Sequence, residues 1–404
     1  MSRPLVVHAD LSAGRLALIV ASRFVLNAMF RVAYVLIPFV AARYAVDEQQ
    51  AAWIVTIQVL AGLGSPLGGW LGERQGYRRV MLAGLGLALS GALIASAAPR
   101  FWVLVLAFAV FGLGLTLFQP SMQAYVSALT PYHRRGRAIG VVELSWALAG
   151  IVAVPALAWL VERQQGIGGM FGLIALCLAL MAGVMWACLP AEPAIARMHG
   201  TAAAPLQAIW TPSVRGMLAF AGLTIASTEL VYVAQPSWAT RQFNASLTDL
   251  GAAALVYGLG ELLGSIGSIL FTDRLGKRVA AMLGFGLAAA AFVALALVGR
   301  TWPAYLAAYL VLAVCVEFAI VAMLTLASTV SVVGRAAVMA LIIAVMQVSR
   351  AAASRLGLPL LEQGSLLINA LTAATLALLG IAIAWRYVRE GERQSAATTA
   401  VQQA

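Results

Sequence analysis

Long apolar stretches alternate with short polar breaks along the whole chain. The pattern predicts spans at residues 16–40, 51–72, 79–98, 101–127, 137–161 and 167–190, then at 215–240, 247–271, 278–299, 301–328, 334–361 and 364–388. Each run is long enough to cross about 30 Å of hydrocarbon as a helix. Inside lipid every backbone N–H and C=O must find its partner within the segment or a closed barrel, and Ala/Leu/Gly/Val-rich runs of this length select helices. The expectation is an all-α membrane protein with twelve transmembrane helices. The longest polar interval, 191–214, carries Glu192, Pro193, Arg197, His199, Pro205 and Pro212. It divides the chain into an N-terminal six-helix bundle (1–190), a linker (191–214) and a C-terminal six-helix bundle with a short tail (215–404). Leu206, Ile209 and Trp210 have the character of a short interfacial helix within that linker.

Composition sharpens this picture. Of 404 residues, 62% are hydrophobic and 10% charged, well below the roughly 25% charged residues of a soluble domain. The formal charge of +11 resides in short loops rather than in a basic arm or aromatic platform, which argues against nucleic-acid binding. Of the 26 Lys and Arg, Arg43, Arg100, Arg163, Arg241 and Arg300 fall on one side, Arg23, Arg31, Arg350 and Arg355 lie within spans, and the other 17 share the opposite side. The positive-inside rule puts that richer side, and both termini, in the cytoplasm of a cell whose inner (plasma) membrane holds the protein. The first apolar run is long, interrupted by Arg23 and Arg31, and lacks a small-residue cleavage site, so it is read as a span and not a signal peptide. Cys177, Cys188 and Cys315 fall in apolar segments and read as small buried hydrophobes, while His8, His133 and His199 have no ligand partners at useful spacing. No metal site or cofactor is expected. No His-Glu-x-x-His, Gly-x-Ser-x-Gly or phosphate loop is present, so an enzyme is not expected.

An internal repeat is written in two loops. After the second span the chain reads Gly69-Trp70-Leu71-Gly72-Glu73-Arg74-Gln75-Gly76-Tyr77-Arg78-Arg79. After the eighth it reads Thr272-Asp273-Arg274-Leu275-Gly276-Lys277-Arg278. Acid, Arg, Gly and Arg recur 200 residues apart (73/273, 74/274, 76/276, 78/278). One tight basic turn would explain either loop but not their register. These loops resemble the signature between helices two and three of the major facilitator superfamily, with Glu73 replacing the usual Asp and Ile269 standing where the second copy's first Gly belongs. The stretch Pro131–Gly140 likewise resembles that family's basic loop before helix five. The resemblance covers essentially the whole chain. It implies two pseudo-symmetric six-helix bundles that move a substrate by alternating access. It further implies a cytoplasmic gate motif of Gly69, Glu73, Arg74, Gly76, Arg78, Asp273, Arg274, Gly276 and Lys277, in which the acid and arginines latch the outward-facing state. Two features of proton-coupled drug exporters are absent or thin: Phe108 occupies the position of the span-four Arg before Gly112 and Gly114, and Gly150 and Pro155 are not adjacent.

Charge inside a span is costly and marks a cavity or a pair. Arg23, Asn27 and Arg31 lie at i, i+4 and i+8 on one helix face, with Arg31 roughly 12 Å deeper than Arg23 at 1.5 Å per residue. Arg23 can snorkel to the headgroups, whereas Arg31 near the midplane cannot. Mid-span carboxylates come from the second half: Glu229, Glu261 and Glu317, with Arg350 in span eleven and Glu143 in span five. An apolar wall disfavours the charged carboxylate, so these are candidate proton carriers, and the arginines are counterions or anion holders. Since the family's helices one, four, seven and ten line the path, the resemblance points to Arg31, Glu229 and Glu317 for substrate, with Glu261 and Arg350 behind. Asn27, on the face of Arg31, and Tyr34, Gln119 and Tyr232 add hydrogen bonding and aromatic surface as candidate substrate contacts. The intramembrane charges Glu229, Glu261, Glu317, Arg350, Glu143 and Arg23 are the candidate charge network. The bland alternative is a set of structural ion pairs, Glu261 with Arg350 and Glu143 with Arg23 or loop arginines. The expected function is secondary transport of a small amphipathic or anionic molecule, proton-coupled and outward, by a monomer in a lipid bilayer. The alternatives are an importer, a lipid or lysolipid translocator, and a non-transporting sensor on the same scaffold.

Overall fold

The computed structural model describes residues 11–164, 166–190, 210–331, 335–363 and 365–389. Twelve of its helices are long and apolar enough to cross a membrane: α1 Ala13–Val35, α2 Glu48–Gln75, α3 Tyr77–Ser96, α4 Phe101–Leu129, α5 Arg137–Gln164, α6 Gly168–Cys188, α7 Pro212–Phe243, α8 Leu247–Leu275, α9 Lys277–Val298, α10 Trp302–Ala327, α11 Val338–Glu362 and α12 Leu366–Tyr387. No strand occurs among the described residues. Of the expected linker, residues 191–209, and with them Leu206 and Ile209, lie outside the described residues; Trp210 is exposed just before α7.

Local chemistry sets the helix ends. Ser12, Asp47, Thr211, Ser246 and Ser365 each accept a hydrogen bond from a backbone N–H of the turn they open, and Ser246 with Asp249 forms a complete capping box. Prolines punctuate unevenly. The first span steps at Leu36 before the short helix Ile37–Tyr44, because Pro38 has no N–H to give back. A 3₁₀ turn, Gly62–Gly64, precedes Pro66, and a π-turn, Ala149–Ala153, precedes Pro155. The helices continue through Pro120 and Pro236.

The repeat reappears in backbone geometry. Gly76 and Gly276 have φ 98° and 83°, ψ 133° and 137°, a conformation L-residues avoid. Arg78 donates to the Trp186 carbonyl and Arg278 to the Trp385 carbonyl. Those two tryptophans are 70% and 71% exposed, as befits rings at a lipid boundary. Among the described residues the non-glycine residues at positive φ are Ala45 (53°) and Asn244 (50°), each closing the first span of its half. Small residues bring helices close: a Cβ on Gly84 would meet the Gly114 carbonyl at 2.7 Å, and one on Gly284 the Ala319 Cα at 2.8 Å.

The halves meet from the middle of the spans toward the end remote from the Gly76 and Gly276 turns. There α5 packs on α8, α2 on α11 and α1 on α7. Polar contacts stitch this end: Arg241 to Glu48 at 2.5 Å, the Thr248 N–H to Glu162 at 2.7 Å, and Arg355 to the Gln49 carbonyl with its guanidinium 4.5 Å from the Trp53 ring. Nearer the middle, Thr56 and Ser354 hydroxyls lie 2.9 Å apart.

Candidate functional site

The site begins with one face of α1. Arg23 pairs with Glu143 of α5 at 2.7 Å, and Asn27 donates to Ser145 of α5 at 3.2 Å. Arg23 is 5% exposed, so it is held inside the N-terminal bundle and does not snorkel to the headgroups. One turn further, Arg31 leaves its own half. Its Nη1 lies 2.7–2.9 Å from the Glu261 carboxylate of α8, and the Trp146 indole N–H donates to the same carboxylate at 3.0 Å. The guanidinium carbon stands 4.8 Å from the centroid of the Trp146 ring. Arg31 is 2% and Glu261 6% exposed. A buried pair of this kind repays its desolvation only when the geometry is close and further donors help, as Trp146 does here.

A second crossing runs beside it. Tyr34 of α1 donates to Glu229 of α7 at 2.9 Å, and Arg350 of α11 lies 3.5 Å from the other Glu229 oxygen. The Glu261–Arg350 pair of the structural alternative does not form, and two others do, Arg31–Glu261 and Arg350–Glu229. The reason is reach: Arg31 extends across the interface to α8, leaving Arg350 for the carboxylate on α7. Glu317 of α10 accepts from Ser265 of α8 at 2.9 Å and has no cationic partner within ion-pair distance among the described residues. Tyr34, Tyr232, Tyr257 and Tyr309 form a continuous run of rings with centroids 4.6, 5.2 and 4.8 Å apart. Tyr232, Tyr257 and Tyr309 also line a narrow cleft in the C-terminal half with Thr228, Phe292 and Val316.

The structure thus brings together Arg31, Tyr34, Glu229, Tyr232, Glu261, Glu317 and Arg350, and sets Arg23, Asn27 and Glu143 apart as a cluster within the first half. Gln119 is exposed and outside both groups. Glu73, Arg74, Asp273 and Arg274 are exposed at the end of the bundles that carries the Gly76 and Gly276 turns, with Gly69, Gly76, Arg78, Gly276 and Lys277 in or beside the same two turns. Arg74 lies 4.2 Å over its neighbour Trp70. Ser265 and Tyr309 are among the contributors that went unmarked in the sequence. Their signal was spacing: Ser265 is one turn from Glu261, and Tyr309 two turns from Glu317. All three cysteines are free and, contrary to expectation, none is fully buried: Cys177 and Cys315 are half-buried, and Cys188 is exposed at the end of α6. Among the described residues no His/Cys/Asp/Glu group is arranged to hold a metal.

Two six-helix repeats with a polar, charge-paired site between them at mid-span are the architecture of secondary transporters. The sequence profile of the Major Facilitator Superfamily matches residues 19–228 and again 217–403, and the chain belongs to that family. Its members are transporters and not enzymes. Among curated relatives, the multidrug resistance protein MdtH of Yersinia pestis (strain Pestoides F) is 29% identical over 135 residues, which are 32% of this chain and 33% of MdtH. The chain therefore matches only a third of that relative's length. Among solved structures, a bacterial homologue of the human lysosomal transporter Spinster, in an inward-facing and occupied conformation, aligns with a TM-score of 0.72 at 14% identity, covering 92% of this chain and 95% of that one. A D-xylose–proton symporter aligns with a TM-score of 0.74 at 16% identity, covering 94% and 99%. At these identities the two structures establish the fold alone. The chain is thus a multi-pass membrane protein of a transporter family.

Proposed function

We propose that the chain is a proton-coupled transporter of a small amphipathic organic molecule, working as a monomer by alternating access in the inner membrane with both termini cytoplasmic. The observation that carries this reading is the Arg31–Glu261 pair at 2.7 Å, which joins the two halves deep in the interior. A pair that bridges the halves on one side of the path must break or re-form when they rock, so its charge state biases the equilibrium between the two open states. With the Gly76 and Gly276 turns on the cytoplasmic side, the polar contacts between the halves among the described residues lie from mid-span outward, which fits an inward-facing arrangement. Glu73 and Asp273, exposed in this arrangement, are then free to latch the other one.

Protons enter through the carboxylates. Glu261 and Glu229 each face an arginine, whereas Glu317 meets the Ser265 hydroxyl and no cation within ion-pair distance among the described residues, so a proton is what neutralises it. We rank Glu317 first, then Glu229, then Glu261. The name of MdtH supports export. The second reading, uptake of an organic or lipid-like molecule, is favoured by the buried arginines, which suit an anionic group. Flux in proteoliposomes under pH gradients of both signs tests the proposal: gradient-driven accumulation on one side establishes coupling and direction together, and flux that ignores the gradient refutes coupling.

A further inference from the structure

The guanidinium of Arg31 is clamped but not used up. Its Nη1 meets Glu261, and Trp146 lies beside it. Gly150, in the π-turn of α5, lets it lie against bare backbone. A Cβ at residue 150 would stand 2.8 Å from Nη2, 3.0 Å from Cζ and 3.2 Å from Nε, over the face of the group rather than off its edge. The Nε and Nη2 nitrogens have no acceptor among the described residues, although Arg31 is 2% exposed. An arginine presents two parallel N–H bonds along its Nε–Nη2 edge, the fork that takes both oxygens of a carboxylate. Leaving both donors of a buried cation unmet is expensive, which makes this edge unlike an ordinary core contact.

The surroundings say what the rest of the ligand looks like. The rings of Trp146 and Phe30 have centroids 5.8 Å apart, those of Phe30 and Tyr34 6.1 Å, and Tyr34 continues to Tyr232 and Tyr257. This wall offers stacking surface and hydroxyls, with further carboxylates at Glu229 and Glu317.

We propose that the Nε–Nη2 edge of Arg31, held in place by Gly150, Trp146 and Glu261, is the docking point for the carboxylate of an organic acid whose aromatic or apolar body lies along the ring wall. Gly150 is a positioning residue that keeps the fork aimed. The inference rests on the transporter reading for its location and adds the sign of the substrate's charge. An anionic lipid headgroup offers the same oxygens, and the experiment separates the two sources.

The test is binding to the purified, full-length wild-type chain, by calorimetry and thermal shift. The probes are benzoate, its neutral and cationic counterparts benzyl alcohol and benzylamine, inorganic phosphate, and a lysophosphatidate in micelles. The expected result is saturable binding of benzoate, with benzyl alcohol and benzylamine weaker by roughly 10- to 100-fold, the value of losing a charge-assisted fork. Arg31→Lys keeps the charge without the fork, and Gly150→Ala pushes a methyl against the guanidinium. Each should weaken benzoate by about tenfold or more. Benzylamine binding as well as benzoate overturns the proposal, as does benzoate binding unchanged in both variants. Binding of lysophosphatidate alone overturns the organic-acid assignment. The wild-type probe series needs no variant to fold. Binding without flux would refute the transport reading while leaving this one standing.

Discussion

The outer parts of the two halves are alike, and their middles are not. At the end that carries their turns, Gly76 and Gly276 share one backbone conformation, and Arg78 and Arg278 reach equivalent tryptophan carbonyls. At mid-span the same 200-residue offset pairs Glu261 with Ala61, Glu317 with Leu117 and Arg350 with Gly150. Every charged group there stands opposite an apolar or small one. Residues kept in both copies serve what the copies share, namely turns, helix packing and boundary anchoring. On the proposed function, residues present in one copy serve what differs, which in a rocking pair of bundles is the ligand and its coupling ion. The Arg350–Gly150 pair shows this most clearly: one copy carries a cation, and the other carries the bare backbone against which Arg31 lies.

The contrast can be broken by substitution. Arg31→Ala should reduce flux to background and cost about 3–5 kcal/mol of stability by stranding Glu261, whereas Leu230→Ala, its counterpart in α7 when Ala45 is set against Asn244, should leave flux measurable. Flux assays and thermal unfolding on the two variants check this, and equal loss of flux in both would erase the distinction between scaffold and site. Glu317→Gln mimics the protonated carboxyl and should remove the response to a pH gradient while retaining exchange. A full response retained in the Gln variants of Glu317, Glu229 and Glu261 alike would clear all three of proton carriage. At the symmetric end the expectation reverses. Gly76→Ala and Gly276→Ala should cost similar amounts, about 1–3 kcal/mol each, because both positions need the same conformation. A large inequality would mean that the turns do different work. Smallest of all, Arg241→Gln should cost about 0–1 kcal/mol, since the guanidinium is half exposed and its bond to Glu48 competes with water.

The spans and the repeat were legible because each rests on local signals: apolar run length, turn glycines, and a motif written twice. Arg31 was legible too, since its depth follows from counting residues at helical rise. The partner of each charge was not. Glu261, Glu229 and Arg350 lie on three helices whose rotation is fixed by packing, and sequence spacing says nothing about which faces which. Arg23 and Asn27 share a face with Arg31, yet they spend themselves on Glu143 and Ser145 within their own half. Helix periodicity reports a face, and only packing reports what the face meets. The step at Leu36 and the π-turn at Ala149–Ala153 were hidden for a related reason: Pro38 and Pro155 announce a perturbation without fixing its form.

The central claim, that this asymmetric middle couples substrate movement to protons, is tested most directly by reconstituting the chain into liposomes with a pH-sensitive dye inside. A panel of organic anions and cations is then added outside under pH gradients of both signs. The account predicts saturable, substrate-dependent proton movement for at least one compound, above the level of protein-free liposomes, absent with Arg31→Ala and lost with Glu317→Gln. Proton traces identical to those of protein-free liposomes for every compound that the protein demonstrably carries would contradict it.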